Sequence, residues 1–230
     1  MKSITIIKVT IADLYELQRI GRETFQETFA DSNSEENMKS YLEEGFSITK
    51  LTAELQNEDS EFYFARIDSE VVGYLKINFG ESQTELRDSA SLEIERIYVL
   101  KEFHGKSVGQ LLYDKAVQAA WEKGYEYVWL GVWEENLRAI RFYEKNGFAA
   151  FDKHIFKLGD DQQTDIMMKL KLDQFPKSLS RLKLNFVIIL LVCLRTILSW
   201  LIDNNVLISC SLKGIVKSGP GYLFCRVSFH

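Results

Sequence analysis

The residues whose types and spacing can do chemistry begin with Gly105-Lys106-Ser107-Val108-Gly109. They stand where an apolar, β-branched run (Ile94, Ile97, Tyr98, Val99) gives way to Val108, Leu111, Leu112 and Ala119. The hydrophobic period changes there from two to 3.6, the signature of a strand, a short turn and an amphipathic helix. Such a junction aims the free N–H groups of the first helical turn, and the positive end of the helix dipole, at one spot suited to a phosphate. Gly105 and Gly109 remove side chains where a ligand would approach the backbone. A turn that binds nothing is the plain alternative. A P-loop is excluded, because the Gly105-Lys106-Ser107 ending would need glycine where the chain has Leu100.

Other chemistries find few candidates. All three cysteines (Cys193, Cys210, Cys225) and both prolines lie in residues 173–230. The first 172 residues therefore have no thiol nucleophile, no disulfide and no thiolate metal site. His104 and His154 make no metal-ligand spacing with each other, so no metal is expected. Those 172 residues hold 21 Lys/Arg and 31 Asp/Glu, a net charge of −10, whereas residues 173–230 carry +5. An acidic body argues against nucleic-acid binding and suits a cationic substrate.

The elements that must hold the turn follow from local pattern. Ile4 to Val9 reads as a strand, and Thr10 to Asp13 as a capping-box start for a helix reaching about Ala30. Ser34 caps a short helix through Tyr41, and another helix spans about Ser47 to Gln56. Phe25, Phe29, Tyr41 and Phe46 alternate here with Glu35, Glu36, Glu43 and Glu44. Aromatic faces and carboxylates of this kind can hold cationic nitrogens, or simply form a core and a solvated face. Glu61 to Ile67 and Val71 to Asn78 form a hairpin, Gly80 to Asp88 a polar loop, and Tyr125 to Val132 a buried strand. Asn136 caps a helix from Leu137 to Asn146 that Gly147 ends, and two antiparallel strands close the domain at Leu172. Strands alternating with helices and hairpins give an α/β fold with a mixed, mostly antiparallel central sheet flanked by helices.

Two blocks carry a family resemblance. E-I-E-R-I-Y-V (Glu93 to Val99) with F-H-G-K-S-V-G-Q-L-L (Phe103 to Leu112) resembles the acetyl-CoA-binding strand–turn–helix of the GNAT superfamily of N-acetyltransferases. Asn136 to Phe148 resembles that family's N-x-x-A-x-x-F-Y-E-K-x-G-F segment. The runs around Thr24 to Phe29 and Asn37 to Tyr41 are more loosely similar to PaiA-type spermidine/spermine acetyltransferases. The resemblance spans residues 1–172 and implies transfer of an acetyl group from acetyl-CoA to a primary amine, such as a polyamine, by direct transfer in a ternary complex. Glu93 is then the general base acting through water, with Glu95 as runner-up on the same face of the strand. Tyr143 takes the general acid's position. A phenol near pKa 10 protonating a thiolate whose acid is near 8.5 is uphill by only about 2 kcal/mol. The backbone of Ile97, Tyr98 and Val99 would pair with the pantetheine arm, one N–H serving as oxyanion donor. His104, Gly105, Lys106, Ser107, Val108 and Gly109 would hold the pyrophosphate, and Asn136 would bond the cofactor. Two positions depart from the family's [QR]-x-x-G-x-[GA]: His104 fills the Gln/Arg slot and Ser107 replaces the first glycine.

The tail is a separate matter. Leu184 to Ile202 holds 15 apolar residues of 19 and one charge, Arg195, long enough nearly to span a bilayer core. Arg195 would cost about 2.5–3.5 kcal/mol there. Residues 173–230 thus read as a basic hydrophobic tail, either a membrane anchor or a non-functional extension. A cytoplasmic location is expected, with or without anchoring to the membrane face, and a homodimer is compatible. The alternative function is a non-catalytic acyl-CoA-binding module.

Overall fold

Thr10 opens a short 3-10 turn, Ile11–Asp13, that leads into the first helix. Its N–H and hydroxyl both donate to Asp13 Oδ2, each at 2.9 Å. This computed structural model describes residues 3–158 and 161–172. The elements are β1 (Ile4–Lys8), α1 (Leu14–Phe29), α2 (Glu35–Gly45), α3 (Ile48–Gln56), β2 (Ser60–Ile67), β3 (Glu70–Asn78), β4 (Ser91–Val99), α4 (Val108–Lys123), β5 (Tyr127–Trp133), α5 (Leu137–Lys145), β6 (Ala149–Leu158) and β7 (Asp161–Lys171). Helix α2 outruns the sequence expectation by one turn, because buried Leu42 continues the stripe begun by Met38 four residues earlier.

The seven strands form one sheet in the order β1-β2-β3-β4-β5-β7-β6. Every pairing is antiparallel except β4 with β5. Side-chain alternation splits the core in two. Along β2, Tyr63 and Ala65 face one side, where α4 contributes Val108, Leu112 and Ala116. Phe62 and Phe64 face the other, where α1, α2 and α3 contribute Leu17, Ile20, Leu42 and Leu51, and the α2–α3 link Phe46. Each such large apolar side chain contributes about 1.5–3 kcal/mol on burial. At the sheet's centre, a Cβ on Gly73 would stand 2.6 Å from the Tyr98 carbonyl oxygen, so only glycine lets β3 lie this close to β4.

Among the described residues no helix is long and apolar enough to cross a membrane. The expected span at 184–202, and all of the tail from residue 173, lie outside the described residues.

Candidate active site

The parallel strands set the site. β4 and β5 pair only at Ser91–Tyr127, Leu92–Val128 and Glu93–Trp129. Beyond Glu93 they part, although β4 continues to Val99 and β5 to Trp133. The β4 edge facing the gap therefore carries unpaired backbone groups. Which groups these are follows from one bond, Leu100 N–H to the Val72 carbonyl at 3.0 Å. Residues two apart point the same way, so the N–H and C=O of Tyr98 turn to β3, while those of Ile97 and Val99 face the gap. Of the three backbone positions named from sequence, two meet the open edge. Tyr98 instead contributes its ring, stacked on Tyr74 at 5.8 Å and edge-on to Phe25 and Phe29.

The glycine-bearing turn lies at the end of the same strand. Gly105 (φ +78) and Ser107 (φ +63) both take left-handed conformations. Ser107 thus occupies a backbone position that glycine prefers, at a cost of roughly 1 kcal/mol or more. The N–H groups of Val108, Gly109 and Gln110 make no backbone hydrogen bond, as the start of a helix requires. A Cβ on Gly105 would meet nothing within 4 Å, and one on Gly109 only Val99 Cγ2 at 4.0 Å. His104 bridges the turn to its surroundings. Its Nε2 bonds the Val99 carbonyl at 2.8 Å, and its Nδ1 meets Arg138 Nη1 of α5. An arginine can only donate, so Nδ1 accepts, Nε2–H donates and the ring is neutral. Burial, offset by the Val99 bond and reinforced by Arg138, holds the imidazole's pKa below its ordinary value. The Arg/Gln slot of the turn is occupied by histidine, yet an arginine arrives in space from α5. Lys106 points elsewhere, its Nζ lying 4.7 Å from the centre of the Phe103 ring.

A cavity of about 350 Å³ runs through the gap. On the α4/α5 side Ile97, Val132, Asn136, Ala139 and Tyr143 line it; on the α1/α2 side its walls include Phe25, Phe29, Tyr41, Phe46 and Trp133. Asn136 caps α5 by accepting from Ala139 N–H at 3.1 Å. Tyr143 packs against Phe142 and Phe148, and burial raises its phenol above the ordinary tyrosine value. Glu35, Glu36, Glu43 and Glu44 are all exposed and line no part of the cavity. Their role is a solvated face. The carboxylates that do line it are Glu85, Glu93, Glu95 and Asp165.

Glu93 is 3 % exposed. It accepts from the Thr84 N–H at 2.9 Å, the Thr84 hydroxyl, and Asn78 Nδ2 at 3.0 Å. Gln83 pins that loop beneath it, accepting from Ser91 Oγ and Trp129 Nε1 and donating to the Asp88 carbonyl. Burial raises the Glu93 pKa, the Thr84 and Asn78 bonds working against it. Glu95 is different. Lys76 pairs with Arg96 and Ile77 with Ile94, so Glu95 is the extra residue of a β-bulge. Its carboxylate meets Lys76 Nζ at 2.6 Å and Arg96 Nη2 at 2.8 Å, and Glu54 bridges the same two cations. Burial alone would raise its pKa, but Arg96 and Lys76 carry it down to about 2. Glu95 is thus an ion-pair member with little proton affinity. Thr84, Asn78, Arg138 and Asp165 were not singled out from sequence. Only Asp165 had a local signal, the strand alternation that sets it opposite Ile166 and Met168.

The family model for the acetyltransferase (GNAT) family matches residues 15–148. An uncharacterised N-acetyltransferase of Lactobacillus delbrueckii subsp. lactis is 42% identical over 169 residues, which are 74% of this chain and 98% of the relative. The spermidine N(1)-acetyltransferase of Thermoplasma acidophilum is 31% identical over 173 residues, again 74% of this chain and 98% of the relative. Among solved structures, the PaiA N-acetyltransferase of T. acidophilum in complex with coenzyme A gives a TM-score of 0.62 at 30% identity, covering 74% of this chain and 99% of that one.

Proposed function

The chain belongs to the acetyltransferase (GNAT) family and is an N-acetyltransferase that uses acetyl-CoA, and from that premise we propose that its acceptor is a small cationic amine of the polyamine kind, acetylated by direct transfer within a ternary complex. The parting of β4 from β5 carries the reading. It leaves the Ile97 and Val99 backbone exposed beside the free amides of Val108, Gly109 and Gln110. Those amides, with Gly105 and Ser107 shaping the turn and Arg138 supplying a cation, receive the pyrophosphate. Ile97 offers N–H and C=O to the pantetheine arm and Val99 its N–H, the Val99 carbonyl being taken by His104.

The acceptor enters from the aromatic, acidic side. As an ammonium near pKa 10.4 it must first lose a proton. Glu93, made more basic by burial, takes that proton through a water. The freed nitrogen attacks the thioester carbon, a gap-facing N–H of β4 steadies the oxyanion, and the C–S bond breaks. Tyr143 then donates its proton to the departing thiolate, and the second proton that the nitrogen sheds on becoming an amide restores the phenol. The dry site that raises the phenol pKa raises the thiol pKa as well, so the gap between them stays small. A likeness to a spermidine acetyltransferase supports a polyamine acceptor.

Tyr143→Phe tests the catalytic reading. One oxygen is lost and the packing with Phe142 and Phe148 is kept. Turnover of acetyl-CoA with spermidine should fall by about 10²–10⁴ while acetyl-CoA affinity and melting temperature hold. Full activity in the variant would move the acid elsewhere. A wild-type protein that binds coenzyme A but acetylates no amine would leave only a binding module.

A further inference from the structure

Four carboxylates line the cavity, and three of them have partners. Glu93 accepts three hydrogen bonds, Glu95 is shared by Lys76 and Arg96, and Glu85 meets His154 Nε2 at 3.2 Å. The carboxylate of Asp165 on β7 has neither a hydrogen bond nor an ion pair among the described residues. It is half-buried, and that burial raises its pKa, with His154 opposing and Glu134 adding to the shift. A desolvated carboxylate without a partner is an unfavourable group to keep, unless a cation completes it.

Its position fits a cation. Asp165 is the cross-strand partner of Trp133 on β5 and of His154 on β6, so all three share one face. Trp133 packs against Phe29 at 5.9 Å, making an aromatic wall beside the carboxylate. Gly131, next inward on β5, has no side chain, and Asp165 Oδ2 lies 3.5 Å from where its Cβ would be. The carboxylate thus leans over bare backbone into the cavity. Gly131 lies two residues, about 7 Å, beyond Trp129, where β4 and β5 part.

We propose that Asp165 binds a second, non-reacting ammonium group of the acceptor, with Trp133 offering a ring face to the same cation, so that the enzyme prefers diamines and longer polyamines over monoamines. The assignment rests on the acetyltransferase reading for its reacting nitrogen. At neutral pH both nitrogens of a free diamine are charged, so the second stays an ammonium while the first is deprotonated for attack. Asp165 is a specificity residue in this scheme and touches no reacting atom.

Calorimetry on the full chain saturated with coenzyme A tests it, with putrescine as the dication and butylamine as the monoamine of equal length. The wild type should bind putrescine at least tenfold tighter than butylamine. Asp165→Asn, nearly isosteric, should erase that difference, as should Asp165→Ser, while Asp165→Glu keeps part of it. In turnover, Asp165→Asn should raise the putrescine KM at least tenfold, move kcat less than twofold and leave butylamine unchanged. Equal wild-type affinity for the two amines, or an unchanged putrescine affinity in Asp165→Asn, overturns the proposal. Loss of folding in both the Asn and Ser variants would make Asp165 a structural residue and overturn it too. If the binding pattern holds but no amine is acetylated, the catalytic reading fails while the assignment of Asp165 stands.

Discussion

Glu93 and Glu95 stand two positions apart on one strand, and both accept from the side-chain amide nitrogen of Asn78. Their proton affinities are nevertheless driven in opposite directions. Glu93 is buried against neutral donors only, so desolvation dominates and its pKa rises. Glu95, also desolvated, faces Arg96 and Lys76 and falls to about 2. A base at working pH needs the first environment, because the second carboxylate gains nothing by taking a proton. The sign for activity follows. Glu93 must be ionised to accept the amine's proton, and burial moves its ionisation upward. The acid limb of kcat/KM should therefore lie at higher pH than an exposed glutamate would give. Glu93→Gln should abolish that limb and lower kcat at least 100-fold, with acetyl-CoA affinity kept. A pH–rate profile of the variant that retains the limb would show that the base is another group. At this scale the sequence was partly legible. Glu93, Tyr143 and Asn136 could be named because they sit in continuous motifs. Thr84 and Asp165 could not, because each reaches the cavity through a contact distant in sequence, one by folding of the 80–90 loop and one by strand register.

The turn between β4 and α4 shows what an element can dictate by itself. Its apolar period changes between Leu100 and Ser107, and the helix begins at Val108 as that change requires. Two left-handed residues reverse the chain, and Glu27 of α1 holds the strand's end by accepting from the Lys101 N–H at 2.8 Å. Gly109 stands in the first turn with open space where a Cβ would project. Gly109→Glu should therefore fold, because nothing packed is displaced. It should weaken acetyl-CoA binding at least tenfold by setting bulk and negative charge at the anion-binding end of the helix. An unchanged dissociation constant in a folded variant would place the phosphates elsewhere. Elements were readable from sequence wherever periodicity alone decides, as for the β2–β3 hairpin and the Asn136-capped α5. The gap between β4 and β5 was not, since neither strand's own pattern says where its pairing stops. Nor was the bulge at Glu95, which exists only relative to β3. The His104–Arg138 contact was hidden for the same reason, its partners lying 34 residues apart.

The whole molecule is organised by how its last strand closes. β7 inserts between β5 and β6, pairing with β5 from Trp133–Asp165 to Tyr127–Lys171. Leu172, 8% exposed, then donates its N–H to the Glu126 carbonyl at 2.8 Å. Both cores and every cavity residue named above lie before this point. The two relatives of 42% and 31% identity are each covered to 98% by about 74% of this chain. We accordingly propose that residues 1–172 fold and catalyse without residues 173–230. The charge division agrees, since a body at −10 and a tail at +5 differ as two units of separate origin or purpose would. A chain ending at Asp173 should then be soluble, melt cooperatively at the temperature of the full chain's acetyltransferase domain, and bind acetyl-CoA with an unchanged dissociation constant. Membrane fractionation of the full chain beside it separates the two uses of the tail. An anchor at 184–202 would hold the full chain in carbonate-washed membranes and release the truncated one; a non-functional extension would leave both in the same fraction. If the shortened chain instead aggregates or loses acetyl-CoA binding, the tail packs against the acetyltransferase domain, and the division at residue 172 is wrong.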